Sequence, residues 1–169
     1  MRREVITWQE VEKLIDHLIP QFPVEFDAIV MLRQGGIVPG GMLAEMLRVK
    51  RTYIADIEFP KGFELERQRS DPKFVAWPVV HVFPEASLIA DRKVLVVTSA
   101  WGTGRSVTTV RNKVTGADGE VYTCVLHFSH QRSLFTNEKP DFYAALTDAW
   151  IIYPWEIERG TDLIMKDLV

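Results

Sequence analysis

Nine consecutive residues, Thr98-Ser99-Ala100-Trp101-Gly102-Thr103-Gly104-Arg105-Ser106, carry the densest chemistry in the chain. The two glycines free the backbone to turn with its N–H groups facing one point, while Thr103 and Ser106 add hydroxyl donors. A helix starting near Arg105 would bring its partial positive charge to the same point, which suits a phosphate. The plain alternative is a tight strand-to-helix turn with ordinary caps. Two better-known phosphate motifs fail at the residue level. The dinucleotide fingerprint needs a glycine where Val107 stands, and no Gly-Lys-Ser/Thr ending of a P-loop occurs anywhere in the chain. A second turn, Arg33-Gln34-Gly35-Gly36, also places paired glycines directly behind an apolar run.

Both turns need elements to hold them. Thr7 and Glu10 have capping-box spacing, and Val11, Leu14, Ile15 and Leu18 then recur at helical intervals until Pro20 and Pro23 stop the pattern. Residues 26–32 are nearly all apolar and too few for a typical helix, which predicts a strand buried on both faces. A helix is expected over 39–47, with Met42, Leu43, Met46 and Leu47 on its buried side, and a strand over 50–58. Residues 93–97 form the clearest buried strand, leading into the glycine-rich segment and a helix over 105–114. Further strands are expected at 79–83, 121–128 and 149–153. Strands alternating with helices imply a parallel α/β sheet with right-handed crossovers, whose ligands bind outside the carboxyl ends of the strands. That rule points at the same two turns.

Residues 59–78 differ in kind: charged, aperiodic and broken by Pro60, Gly62, Pro72 and Pro78. A loop this long inside a compact domain is usually a functional lid or mobile. Arg67, Arg69 and Lys73 within it could clamp an anion on closure, although a charge-rich loop is more often simply solvated.

With 169 residues the chain is expected to be one domain spanning 1–169. A single cysteine, Cys124, excludes an intramolecular disulfide and fits a reducing compartment, so a cytoplasmic location is expected. Twenty basic against 23 acidic residues give a net charge of −3, which argues against a nucleic-acid groove. No apolar run approaches the length of a membrane span, and the N-terminal residues lack the apolar core of a secretory signal. Cys124, His127 and His130 have a spacing that invites a zinc reading. On a strand, however, residues three apart point to opposite faces, so Cys124 reads better as a small buried hydrophobe.

Three blocks together resemble a known family. VLVVTSAWGTGRSV (94–107) is similar to the diphosphoribose-binding segment of type I phosphoribosyltransferases: four apolar residues, two acids, two spacers, then Asp-Thr-Gly-x-Ser/Thr. LRQGGIVPGGMLAEMLR (32–48) resembles the pyrophosphate loop and following helix of bacterial xanthine and guanine phosphoribosyltransferases. WIIYPWE (150–156) resembles their purine-binding hood. The resemblance implies an α/β fold, a twisted parallel sheet flanked by helices, with a small hood from the N-terminal segment and about 129–160. It puts the family's flexible catalytic loop at about 59–78 and implies a homodimer. By the same resemblance Gly102, Thr103, Gly104, Arg105 and Ser106 would hold a 5′-phosphate. Arg33, Gln34, Gly35 and Gly36 would form the pyrophosphate turn, Trp150 would stack on a base, and the Ile151 backbone would read its edge. His127 stands where a lysine normally meets the purine 6-oxygen.

The departures fall on the acids. Thr98 and Ser99 replace the pair that holds the ribose hydroxyls and supports the metal, and Gly102 replaces the acid that faces the base. Gln34 occupies the place of the turn's arginine, with Arg33 one position early. Asp56 and Glu58, near a strand end, are candidates for substitute carboxylates. Two functions are therefore expected. One is transfer of ribose 5-phosphate from phosphoribosyl diphosphate to a 6-oxopurine, as in purine salvage, without the usual catalytic acids and with magnesium only as the donor's companion. The other is a non-catalytic module that binds a nucleotide or phosphoribosyl ligand as a sensor. A scaffold with a vestigial pocket is a third, weaker reading.

Overall fold

A computed structural model describes residues 2–59 and 78–157. Most of the lid segment, with Arg67, Arg69 and Lys73, and the last residues of the expected hood lie outside the described residues.

The chain opens with β1 (Arg3–Val5) and α1 (Trp8–Leu18), continues through β2 (Ala28–Leu32), α2 (Ile37–Met46) and β3 (Arg51–Glu58), and resumes with β4 (Val79–Val82) and α3 (Ala86–Ile89). Then come β5 (Lys93–Trp101), α4 (Arg105–Gly116), β6 (Glu120–Phe128), β7 (Phe142–Leu146), β8 (Trp150–Ile152) and α5 (Pro154–Ile157). Six strands form one sheet in the order β4-β3-β2-β5-β6-β7. All its pairs are parallel except β3 with β4. β1 and β8 form a separate two-stranded parallel ribbon.

Alternation along the central strands explains why they are apolar throughout. Ile29 and Met31 of β2, with Leu95 and Val97 of β5, enter one core layer under α1 and α2. Ala28, Val30, Val94 and Val96 enter the other, against Val107, Val110 and Val114 of α4. Each strand is thus buried on both sides, as a parallel sheet requires. Truncating a fully buried leucine here, such as Leu95, would cost about 2–5 kcal/mol. The start of α1 follows the sequence closely. Thr7 and Glu10 make both bonds of the capping box, and Val11, Ile15 and Leu18 are fully buried.

Several boundaries differ from the sequence reading. β5 does not stop where the apolar run ends: Thr98–Trp101 continue it, with Ala100 opposite His127 and Trp101 opposite Phe128 on β6. The loop expected at 98–104 is correspondingly shorter. α2 begins at Ile37, two residues early, because Pro39 is accommodated in its first turn, where a missing N–H costs nothing. Strand 149–153 joins β1 rather than the main sheet. β1 and β7 themselves were not anticipated. No described helix is long and apolar enough to cross a membrane.

Candidate functional site

The order of strands creates a crevice. β2 leads through α2 to β3 on one side, β5 leads through α4 to β6 on the other, and β2 and β5 are neighbours. Their carboxyl ends therefore open a gap between two diverging connections, the usual ligand position in such sheets. A cavity of about 290 Å³ occupies that place. Its wall includes Arg33, Gln34 and Gly35 from the first turn, Thr98 to Ser106 from the second, and His127, Trp150 and Ile151.

The turn at 102–106 is shaped by its glycines. Gly104 caps α4 in the left-handed conformation, φ 83°, and a Cβ there would stand 2.5 Å from Cε2 of Trp101. Trp101 is fully buried and its indole N–H donates to Ser133 Oγ over 3.2 Å, so the ring cannot yield. No side chain caps the first turn of α4. Its leading N–H groups, beside the Thr103 and Ser106 hydroxyls, line the cavity and suit an anion. Arg105 is buried, with its guanidinium 5.6 Å from the centre of the Phe59 ring.

The first turn presses on the second. Gly35 has φ 81°, and a side chain on it would collide with the Ser99 hydroxyl. Thr98 Oγ1 donates to the Gln34 carbonyl over 3.3 Å, linking the turns directly. Gly36 does not line the cavity. A Cβ there would lie 2.6 Å from the Leu32 backbone, so this glycine serves chain packing. The candidate substitute acids are also placed away from the wall. Arg33 holds Asp56 at 3.1 Å, and His81 lies 2.8 Å from Glu58.

At the other end of the cavity the hood supplies rings. Trp150 remains 45% exposed, and Tyr153 stacks on Trp155 with centroids 4.6 Å apart. His127 is buried, and that burial pushes its pKa below the ordinary histidine value, against a smaller opposing effect of the Glu4 charge. Burial pushes the Tyr153 hydroxyl and the Cys124 thiol in the opposite direction, away from ionisation. Cys124 belongs to the core layer under α1, whereas His127 lines the cavity.

Several wall residues were invisible to spacing arguments: Ser129, Arg132, Tyr153 and Glu156. The segment after β6 is folded back onto the turn at 102–106. Ser129 N–H donates to the Trp101 carbonyl at 2.9 Å, and Leu134 N–H donates to the Thr103 carbonyl at 3.1 Å. These bonds carry Arg132 across Trp150, with its guanidinium 4.8 Å from the ring centre. Among the described residues the wall holds three arginines, Arg33, Arg105 and Arg132, but one carboxylate, Glu156. That carboxylate is already engaged by the Tyr153 N–H at 2.9 Å. Magnesium, which prefers carboxylate and other oxygen ligands, does not fit this donor set.

The sheet order is that of the type I phosphoribosyltransferase fold. The chain superposes on a purine phosphoribosyltransferase from Pyrococcus horikoshii with a TM-score of 0.74 and 23% identity, over 92% of this chain and 95% of that one. A xanthine-guanine-hypoxanthine phosphoribosyltransferase from Helicobacter pylori matches with a TM-score of 0.71 and 16% identity, over 97% and 98%. A hypothetical protein from Neisseria gonorrhoeae with bound ppGpp matches with a TM-score of 0.68 and 20% identity, over 98% and 97%. No protein-family model and no curated relative matches the sequence.

Proposed function

We propose that this protein binds a nucleotide or related phosphoribosyl ligand in the cavity between β2 and β5 and turns it over slowly or not at all. One observation carries the reading. The described wall offers an uncapped helix N-terminus and the Arg132 guanidinium for anionic groups, with Arg33 paired to Asp56, yet its sole carboxylate already accepts from a backbone N–H.

The phosphate half is complete: Thr103, Gly104, Arg105 and Ser106 would cradle a 5′-phosphate with backbone and hydroxyl donors. Thr98 and Ser99 offer neutral hydroxyls to a ribose, weaker partners than the charge-assisted bonds of carboxylates. Gly102 can transfer no proton. General acid–base assistance is worth about 10²–10⁴-fold, so its absence slows transfer even when binding survives. The gonococcal neighbour with bound ppGpp supports the idea that this fold can serve to hold a nucleotide. A homodimer in the cytoplasm belongs to the same proposal.

Calorimetric titration with nucleoside monophosphates and with phosphoribosyl diphosphate, each with and without magnesium, tests it when followed by a product assay. Micromolar nucleotide binding with no detectable product is expected. Absence of binding by every phosphoribosyl compound would overturn the proposal.

A further inference from the structure

The Tyr153 hydroxyl has one proton and two close polar neighbours. Oη stands 2.8 Å from the Ser99 carbonyl oxygen, which can only accept, so the proton goes there. Oη also stands 2.9 Å from Nδ1 of His127. In that contact it can only accept, and Nδ1 therefore carries a hydrogen. Burial favours the neutral imidazole, and a neutral ring with hydrogen on Nδ1 has a bare lone pair on Nε2. His127 is buried but lines the cavity, with Nδ1 committed to Tyr153. The nitrogen left without a hydrogen-bond partner among the described residues, Nε2, is an acceptor.

Its neighbours can donate: the Ser129 hydroxyl, which can also accept, and the Arg132 guanidinium, which cannot. Ser129 lines the same cavity at 3% exposure, and its Oγ has no hydrogen-bond partner among the described residues. Arg132 presents a planar fork of donors over Trp150. This end of the cavity thus sets an acceptor beside donors, against an aromatic platform. A purine shows matching patterns on the edge that carries N7. A 6-amino derivative offers an acceptor beside a donor, whereas a 6-oxo derivative offers two acceptors.

We infer that the cavity selects a 6-aminopurine nucleotide over its 6-oxo counterpart, with His127 Nε2 accepting from the exocyclic amine while Arg132 and Ser129 donate to N7. The inference rests on the nucleotide reading above, and it departs from the 6-oxopurine that the sequence resemblance implied. A lysine at position 127 would donate to an oxo group; this histidine, held as it is, would meet one lone pair to lone pair. Tyr153 acts as a positioning residue, because it fixes which nitrogen is protonated.

The test is the ratio of AMP to IMP affinity, measured by calorimetry at pH 8, with ribose 5-phosphate titrated alongside to report the phosphate half alone. Wild type should prefer AMP by about tenfold or more, the cost of facing an unpaired acceptor. His127→Lys should reverse the preference, and Tyr153→Phe should move it toward parity by releasing Nδ1. Lowering the pH of a wild-type titration needs no variant: once protonated, His127 donates from both nitrogens, so the ratio should shrink as pH falls through its depressed folded pKa. The ligand phosphates titrate alike and cancel in that ratio. Among the described residues, the ionisable groups sharing the cavity with His127 are Arg33, Arg105, Arg132, Tyr153 and Glu156, and Glu4 acts on it from β1.

IMP binding as tightly as AMP at pH 8 would overturn the inference. So would an AMP preference indifferent both to pH and to Tyr153→Phe. Ribose 5-phosphate binding without either nucleotide would overturn this inference alone. Failure of ribose 5-phosphate as well would overturn the nucleotide reading, and this inference with it.

Discussion

Gly102 faces Arg132: a Cβ built on the glycine stands 3.4 Å from Nη2 of the guanidinium. A cation therefore occupies the space into which an acid at position 102 would project. Only Gly35 and Gly104 among the described glycines have positive φ, so Gly102 tolerates a side chain without backbone strain. A carboxylate introduced there by Gly102→Asp should pair with Arg132 before it reaches any ligand.

This fixes the order in which chemistry can be restored. Thr98→Asp with Ser99→Asp should raise magnesium-dependent affinity for phosphoribosyl diphosphate by about tenfold or more, since charged acceptors replace neutral hydroxyls. Adding Gly102→Asp should give little further rate until Arg132→Gln frees the new acid. A product assay across the double, triple and quadruple variants checks the sequence. Full activity in the triple variant would show that Arg132 does not restrain the carboxylate.

Wild type itself should bind phosphoribosyl diphosphate with less than about a tenfold change on adding magnesium, because among the described residues its cavity wall holds one carboxylate, Glu156, which already accepts from the Tyr153 N–H. Calorimetry in buffer with the ion or with a chelator measures this. A hundredfold rise would mean that another acid serves the metal, and Asp56→Asn and Glu58→Gln would be the variants to compare.

Gly35→Ala should destabilise the fold and weaken anion binding together. The residue sits at φ 81° against the Ser99 side chain, so the methyl group meets both strain and collision. Left-handed backbone at a non-glycine residue costs about 1–3 kcal/mol, which lowers Tm by about 3–10 °C in a chain of this size. Gly41→Ala, where an added Cβ meets no atom within 4 Å, is the matched control in a thermal melt.

Acid should destabilise the protein partly through His127. Its folded pKa lies below the unfolded value of about 6.5, so on acidification the unfolded chain takes the proton first. Its contribution is fully present above that value and is lost as pH falls from about 6.5 toward the folded pKa. The urea midpoint of wild type should drop more between pH 8 and pH 5 than that of His127→Gln. Equal drops would exclude His127 as a source.

What was legible in the chain follows from where the physics is local. The capping box at Thr7 and Glu10, the doubly buried β2 and the glycine turn at 102–106 are local patterns, and each leads to the right element. β1 has three exposed residues and no pattern of its own; it is a strand because β8 pairs with it. β5 outruns its apolar stretch because β6 continues to offer a ladder opposite Ala100 and Trp101. Ser129 and Arg132 reach the site through backbone bonds to Trp101 and Thr103, a return that no spacing rule encodes. Tyr153 lies inside a recognised block, but its hold on His127 spans 26 residues and emerges only from the fold.

The central claim, retained binding without efficient transfer, is tested most directly by one assay. Purified protein shown to bind a nucleotide is incubated with phosphoribosyl diphosphate, magnesium and hypoxanthine, guanine, xanthine or adenine, and nucleotide formation is followed over time. The expected result is little or no product above the uncatalysed background with any of the four bases. Turnover at an ordinary enzyme rate, about 1 s⁻¹ or faster, with any one of them would contradict it.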